Sequence, residues 1–277
     1  MKFSLIMATL DRAEEIALFL NKLSAQTYKN FELIIVDQND DGRVYNLYLK
    51  YKDIIELKYI HSNKKGLSLS RNIGLNNCNG DIIAFPDDDC EYSADTLENV
   101  FKFFNNNPDY AFYTCNTKDK NNGNTILNSK KKDTDISIFN IMFTGISFTI
   151  FVRAVSIKKF RFDTQMGVGA EYGSGEESDL LLYLLRNVNK GRYNANSYIH
   201  HPYKIDNTDR AFSYGKGFGA LYKKAISTYR YYILFPVFMY LLFKQFLMIC
   251  LHPFEKGRIA SLKGRLYGFI HYKLSRE

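Results

Sequence analysis

Three aspartates, Asp87, Asp88 and Asp89, stand side by side directly after the apolar run Ile82-Ile83-Ala84-Phe85. Neighbouring carboxylates raise one another's pKa unless a cation compensates them. A hard divalent cation, Mg2+ or Mn2+, is the natural compensator, held by one or two carboxylates together with substrate phosphates. The bland alternative is an acidic, solvated turn. Two other apolar runs end on polar residues: Phe3–Ala8 leads into Thr9-Leu10-Asp11-Arg12, and Phe31–Val36 leads into Asp37. Further along, Glu176, Glu177 and Asp179 open the leucine-rich stretch Leu180–Leu185. Acids at that place complement the positive end of a helix dipole. His200-His201 follows Tyr198-Ile199 and reads as an exposed or structural pair.

These residues need a scaffold that brings them together. Phe3–Ala8, Phe31–Val36, Leu57–Ile60 and Asp81–Phe85 have the apolar character of buried strands. Between them, Ile16, Leu20 and Leu23 recur at helical spacing, as do residues around Tyr45–Tyr51 and from Leu67–Ser70 through Leu75. Asp11, with Glu14 three residues on, reads as a capping box for the first helix. Strands alternating with helices predict an α/β fold with a parallel sheet. Ligands bind such sheets beyond the carboxyl ends of the strands. Thr9 to Arg12, Asp37 and Asp87 to Asp89 all fall there and converge on one crevice.

Five segments, in order and at matching spacing over roughly residues 1–205, resemble family 2 glycosyltransferases of the GT-A fold. They are Ser4–Arg12, Phe31–Asp37, Lys65–Leu75, Gly80–Asp89 and Gly175–Leu182. The resemblance implies a Rossmann-like nucleotide-binding sheet with helices on both faces. It implies an inverting transfer of a sugar from a nucleotide diphosphate sugar, most simply a UDP-sugar, to a hydroxyl of a glycan acceptor. Thr9, Asp11 and Asp37 then line the base and ribose pocket. Arg71 faces the pyrophosphate, where a planar guanidinium suits phosphate oxygens. Asp88 contacts the ribose or sugar, and Asp89 binds Mn2+ or Mg2+ directly, with His200 completing the metal site. The family base is usually the aspartate of a Glu-Asp pair. Here the pair is Glu176-Glu177, so Glu177 aligns with the base, and Glu176 and Asp179 remain alternatives. Phe162-Asp163 through Gly175 reads as a flexible, glycine-rich acceptor-side loop. A sugar-phosphate nucleotidyltransferase would want a glycine-rich, basic loop after the first strand, which Ala8–Arg12 lacks. A non-catalytic membrane scaffold would be free to lose Asp37, Asp88 and Asp89, and all three are present.

Composition bounds the rest. The 277 residues are 46% hydrophobic and 24% charged with five prolines, which excludes wholesale disorder. Cys78, Cys90, Cys115 and Cys250 form no CxxC pair, so neither a disulfide scaffold nor a zinc ribbon is expected. The start of the chain does not read as a signal peptide, and a reduced, cytoplasmic context fits. The net charge of +8 is uneven. From Arg210 to Glu277 there are 12 Lys/Arg and 2 Asp/Glu, a local net of +10, which leaves −2 for the remainder. The same segment holds the aromatic, apolar stretch Tyr231–Leu251. Together they favour an anionic membrane surface over nucleic acid as partner. The stretch is an interfacial helix, a span, or a buried core helix; Lys244-Gln245 and Pro236 suit the first best. The expected organisation is a GT-A domain over 1–209, with a donor half about 1–115 and an acceptor half about 116–209. A helical, membrane-associating segment over 210–277 follows. The resemblance further implies a lipid-linked saccharide acceptor at the cytoplasmic membrane face, as in capsule or O-antigen synthesis.

Overall fold

A computed structural model describes residues 1–120, 122–125, 131–187, 189–202 and 207–274. Alternating elements open the chain: β1 (Phe3–Thr9), α1 (Glu14–Ser24), β2 (Phe31–Asp37), α2 (Arg43–Tyr51), β3 (Glu56–His61), α3 (Leu67–Leu75), β4 (Ile82–Ala84) and α4 (Thr96–Asn106). They are followed by β5 (Tyr110–Asp119), β6 (Thr134–Asp135), β7 (Ile150–Arg153), α5 (Glu176–Arg186) and β8 (Lys190–His201). Three helices close it: α6 (Thr208–Ser227), α7 (Leu234–Leu251) and α8 (Lys256–His271).

Among the described residues, eight strands form one sheet in the order β3-β2-β1-β4-β7-β5-β8-β6. The first four pair in parallel, as expected of buried apolar runs. Beyond β4 the sheet is mixed: β7 runs antiparallel to β4 and β5, and β6 antiparallel to β8. The purely parallel expectation therefore holds only for the first half. Register sets up the crevice. Thr9 lies opposite Asp37, and Leu5 opposite Ala84. Continuing along the chain from Ala84 by as many residues as separate Leu5 from Thr9 brings Asp88 level with Thr9.

Local details differ from the sequence pattern at the start of α1. The N-cap is Ala13, with no side-chain cap, and Asp11 instead adopts φ 61°. Asp11 turns the chain rather than capping it, and its N–H donates to Asn39 Oδ1 at 2.7 Å.

By internal contacts the chain divides into two units. One comprises Met1–Lys65, Leu69–Arg161 and Asn187–Tyr203; the other comprises Gly66–Ser68, Phe162–Arg186 and Lys204–Glu277. The first contains the sheet and its core, with Leu5, Leu33, Ile35, Ile82 and Phe151 buried. The second contains α5 to α8 and the glycine-rich loop. The carboxyl-terminal helices therefore share a unit with the segment from Phe162 to Arg186.

In the second unit α6 and α8 approach backbone to backbone through Gly215, Gly219, Gly264 and Gly268. A β-carbon built on Gly264 would lie 3.0 Å from Gly215 Cα, and one on Gly268 would overlap Lys216 O. Against this pair packs α7, through Phe238, which stacks on Tyr222 at 5.0 Å and on Phe269 at 4.7 Å. Leu234, Phe238 and Leu242 are the buried residues of α7. Large apolar residues of the remainder are exposed, among them Phe235, Met239, Tyr240, Phe243 and Phe246, so it is not a buried core helix. Among the described residues it is the one helix long and apolar enough to cross a membrane, with 18 residues of mean hydropathy 1.9. Gly268→Val should force α6 and α8 apart and destabilise the protein by about 1–3 kcal/mol. A lower thermal midpoint, beside a nearly unchanged one for Ala at Gly257, where an added β-carbon would meet only Ala211 Cβ at 3.9 Å, is the expected result.

Candidate active site

The acidic turn after β4 is held from several directions, all within the first unit. Thr9 Oγ1 donates to Asp88 Oδ2 at 2.8 Å. Arg12, just past β1, lies 3.0 Å from Asp88 Oδ1 and also pairs with Asp89. Arg71, 2% exposed, reaches Asp87 Oδ1 at 3.4 Å and packs over the Phe85 ring. Burial pushes the Asp88 carboxyl up to about 6, against the opposing pull of Arg12 and Thr9. This turn is thus crowded with negative charge and already draws cationic side chains.

His201 Nε2 lies 2.9 Å from Asp89 Oδ1 and 3.9 Å from Asp87 Oδ2. Asp87, Asp89 and His201 each offer one ligand atom, and these atoms lie within 4.8 Å of one another. Two carboxylate oxygens and an imidazole nitrogen are a donor set that fits a divalent cation. The histidine is not the expected His200. Successive side chains of a strand point to opposite faces. Antiparallel bonds between Glu91 and His200, at 2.8 and 3.1 Å, fix the end of β8 beside the chain that leaves the aspartates. His201 then faces the acids and stacks on Phe148 at 4.6 Å. His200 lies against Tyr198 at 5.2 Å. The signal was present in the sequence: Ile199, two residues before His201, is a core residue of the same strand.

The end of β2 is also braced. Asp37 is fully buried; its Oδ1 accepts from Asn39 N at 3.0 Å and Asn39 Nδ2 at 2.7 Å, and its Oδ2 from Tyr59 at 2.9 Å. Burial and the Asp37 charge push the Tyr59 hydroxyl up to about 12, which keeps it a donor. Asn39 also takes the Asp11 N–H, so one amide braces both aspartates. Thr9, Asp11, Asp37, Arg71, Asp88 and Asp89 are thus gathered at one edge of the sheet, and Arg12, Asn39, Tyr59, Asp87 and His201 join them.

In the second unit, α5 begins at Glu176. The three candidate bases there have different surroundings. Asp179 is fully buried and bonded to Lys224 and Tyr229, each at 2.8 Å. Burial drives its carboxyl up, and these partners oppose that shift. Glu176 is buried against Gly167, where a β-carbon would come within 3.2 Å of its carboxyl carbon. Glu177 is the half-exposed one of the three. The preceding loop is hydrogen-bonded, Gly167 N to Tyr172 O at 2.8 Å and Ser68 Oγ to Met166 O at 2.6 Å. Gly167, Gly169 and Gly175 supply its left-handed turns.

Comparisons with known proteins agree with this architecture. The family model described as glycosyl transferase family 2 matches residues 4–161. A GalNAc(5)-diNAcBac-PP-undecaprenol beta-1,3-glucosyltransferase of Campylobacter jejuni is 27% identical over 175 residues, 59% of this chain and 55% of its own length. The chain spans only part of its curated relatives, from 12% to 65% of their length among the closer matches. S. aureus TarS, solved with UDP-GlcNAc, aligns with a TM-score of 0.67 at 18% identity, over 82% of this chain and 67% of that one. A mannosyltransferase from Pyrobaculum calidifontis, solved with GDP-Man and Mn2+, aligns with a TM-score of 0.70 at 12% identity, over 96% of this chain and 86% of that one. At such identities the two structures establish the GT-A-like fold alone.

His201→Ala and Asp89→Asn should each weaken Mn2+ binding by more than the ~10–100-fold that outer-shell losses typically cost. His200→Ala should leave it near wild type. Electron paramagnetic resonance titration of free Mn2+ reads this directly; equal losses for both histidines would exclude His201 as the specific ligand.

Proposed function

The chain belongs to glycosyl transferase family 2, and from that premise we propose that it is an inverting glycosyltransferase. It moves one sugar from a UDP-sugar to a hydroxyl of a lipid-linked glycan at the cytoplasmic face of the cell membrane, in surface-polysaccharide synthesis. The observation that carries the reading is the cation-seeking turn Asp87–Asp89 with His201 and Arg12, set beside the braced Asp37 at the carboxyl edge of the sheet. The TarS complex with UDP-GlcNAc supports the donor class. The Campylobacter jejuni relative, named for a PP-undecaprenol-linked substrate, supports the acceptor class.

In this reading Asp37, oriented by Asn39 and Tyr59, accepts a hydrogen bond from the nucleotide base. Thr9 and Asp11 line the ribose side. Arg71 provides a fixed guanidinium toward the diphosphate, and Asp88 meets the ribose or sugar hydroxyls. Asp89, Asp87 and His201 would hold a divalent cation, which when bound stabilises the charge of the departing diphosphate. The imidazole nitrogen favours Mn2+ over Mg2+, which prefers oxygen ligands. Glu177 takes the proton of the acceptor hydroxyl as that oxygen attacks the anomeric carbon. The bond to the diphosphate oxygen breaks with its electron pair on UDP, and a single displacement inverts configuration. Asp179 is unsuited to the task because its carboxylate is buried and bonded to Lys224 and Tyr229.

Membrane contact falls to α7 and its basic flanks, Lys223, Lys224 and Arg230 before it and Lys256, Arg258, Lys263 and Arg265 after it. Not all of these serve equally. Lys224 is committed to Asp179, and Arg265 is held over Phe218 at 4.3 Å.

A screen of nucleotide sugars for protection against thermal unfolding should single out a UDP-sugar, and only with Mn2+ present. No protection by any nucleotide sugar would sink the assignment. Glu177→Gln should keep that protection and lose ~10²–10⁴-fold in transfer rate; loss in Glu176→Gln instead would move the base by one residue. The full chain should float with anionic vesicles more than with neutral ones, since each basic residue near anionic lipid adds about 1 kcal/mol. Salt should weaken this binding; equal, salt-independent binding to both vesicles would remove the electrostatic part.

A further inference from the structure

The second unit holds a buried charge cluster that the proposed reaction does not use. Lys224 Nζ, on α6, lies 2.8 Å from Asp179 Oδ2 and 3.4 Å from Asp163 Oδ2. The other Asp179 oxygen accepts from the Tyr229 hydroxyl at 2.8 Å. Asp163 also accepts from Gln165 N at 2.9 Å and from the hydroxyl of Tyr272, just past α8. Asp179 is 0% exposed and Lys224 9%. Lysine is rarely buried to this extent unless paired. A buried ion pair contributes little net stability against an apolar replacement, because desolvation offsets the attraction. What such a pair does fix is relative position. Here the end of α6, the loop before α5, the first turn of α5 and the chain after α8 meet on two carboxylates. Glu177 lies on that same first turn, two residues before Asp179.

We infer that Lys224 is a positioning residue: through Asp179 it fixes the first turn of α5 that carries Glu177, and it ties that turn to the α6–α8 helices. This rests on Glu177 being the base. It also makes the carboxyl-terminal helices part of the catalytic apparatus rather than an anchor alone. A misplacement of about 1 Å in a reacting group can cost ~10²-fold, so the device need not move far to matter.

The test uses the full chain with Mn2+ and either UDP-N-acetylglucosamine or UDP-glucose, whichever protects the protein, and follows sugar transfer to water. Lys224→Met should lower kcat by about 10²-fold with the donor KM unchanged. In the double variant Asp179→Asn/Lys224→Met the fully buried Asp179 charge is removed together with Lys224, and Asp163 keeps its bonds from Gln165 N and Tyr272. Its thermal midpoint should return toward wild type while kcat stays low. Recovery of kcat together with the midpoint would overturn the inference and leave Lys224 a structural residue. Tyr229→Phe removes one hydrogen bond and no charge, and covers the case in which Lys224→Met does not fold. It should lower kcat several-fold at constant KM, and a wild-type kcat there would count against the inference. Glu177→Gln is run beside them. If it is inactive while Lys224→Met keeps the wild-type kcat, only this inference fails; if Glu177→Gln itself is fully active, the base assignment fails and takes the inference with it.

Discussion

Carboxylates gathered at the end of a buried strand need positive charge close by, and the first unit is arranged to supply it. Asp89 is 4% exposed and Asp88 9%, so water compensates them poorly. Arg12 reaches them because Asp11 takes a left-handed turn as the chain leaves β1. His201 reaches them because Glu91 and His200 exchange backbone bonds at the end of β8. Thr9 reaches Asp88 because parallel register carries the chain beyond β4 level with the end of β1. The order of strands, with β1 beside β4 and β8 returning across the sheet, is what brings these groups onto one edge.

The second unit solves the same electrostatic problem in the opposite way. Asp163 and Asp179 are buried with Lys224, and two tyrosine hydroxyls fill the remaining acceptor positions. That cluster is closed: its cation is a side chain of the same unit. The acidic turn of the first unit is only partly neutralised by Arg12, and Asp87 keeps a side-chain exposure of 29%. A closed cluster holds elements in place, whereas a partly exposed one can exchange a side-chain cation for a ligand's. This difference separates a positioning role from a binding role among carboxylates that look alike in sequence.

Legibility followed the range of the interactions. β1 and β2 were readable because strands buried on both faces are mostly apolar. Thr9, Asp37 and the aspartate turn were readable because they end such strands. β7 and the mixed half of the sheet were not, since a four-residue strand has too little pattern and its partners lie far away in sequence. The choice between His200 and His201 turned on strand facing, which Ile199 reveals only once the strand's buried side is known. Lys224 and Asp179 are 45 residues apart, so neither helical nor strand period links them. For the same reason composition gives no sign that Phe162–Arg186 groups with the closing helices by internal contacts.

The exposed side of α7 is also decided by its polar residues. Its buried stripe, Leu234, Phe238 and Leu242, recurs every four residues, and Phe238 in it stacks on the Tyr222 and Phe269 rings. That leaves most of an apolar helix facing outward, an arrangement that water disfavours and a bilayer does not. Eighteen residues at about 1.5 Å each reach only ~27 Å, slightly short of the ~30 Å hydrocarbon core. A span would also set Lys244 close to the middle of the helix, where a charge costs about 3 kcal/mol or more. Lying in the interface, the helix could bury Phe235, Tyr240 and Phe246 to headgroup depth while Lys244 extends to the phosphates. Gln245 is already satisfied by Arg258 O at 3.1 Å, so it adds no unpaired polar group in that setting. The proposed in-plane arrangement rests on the position of one lysine more than on the hydropathy of the stretch, since hydropathy alone would permit either.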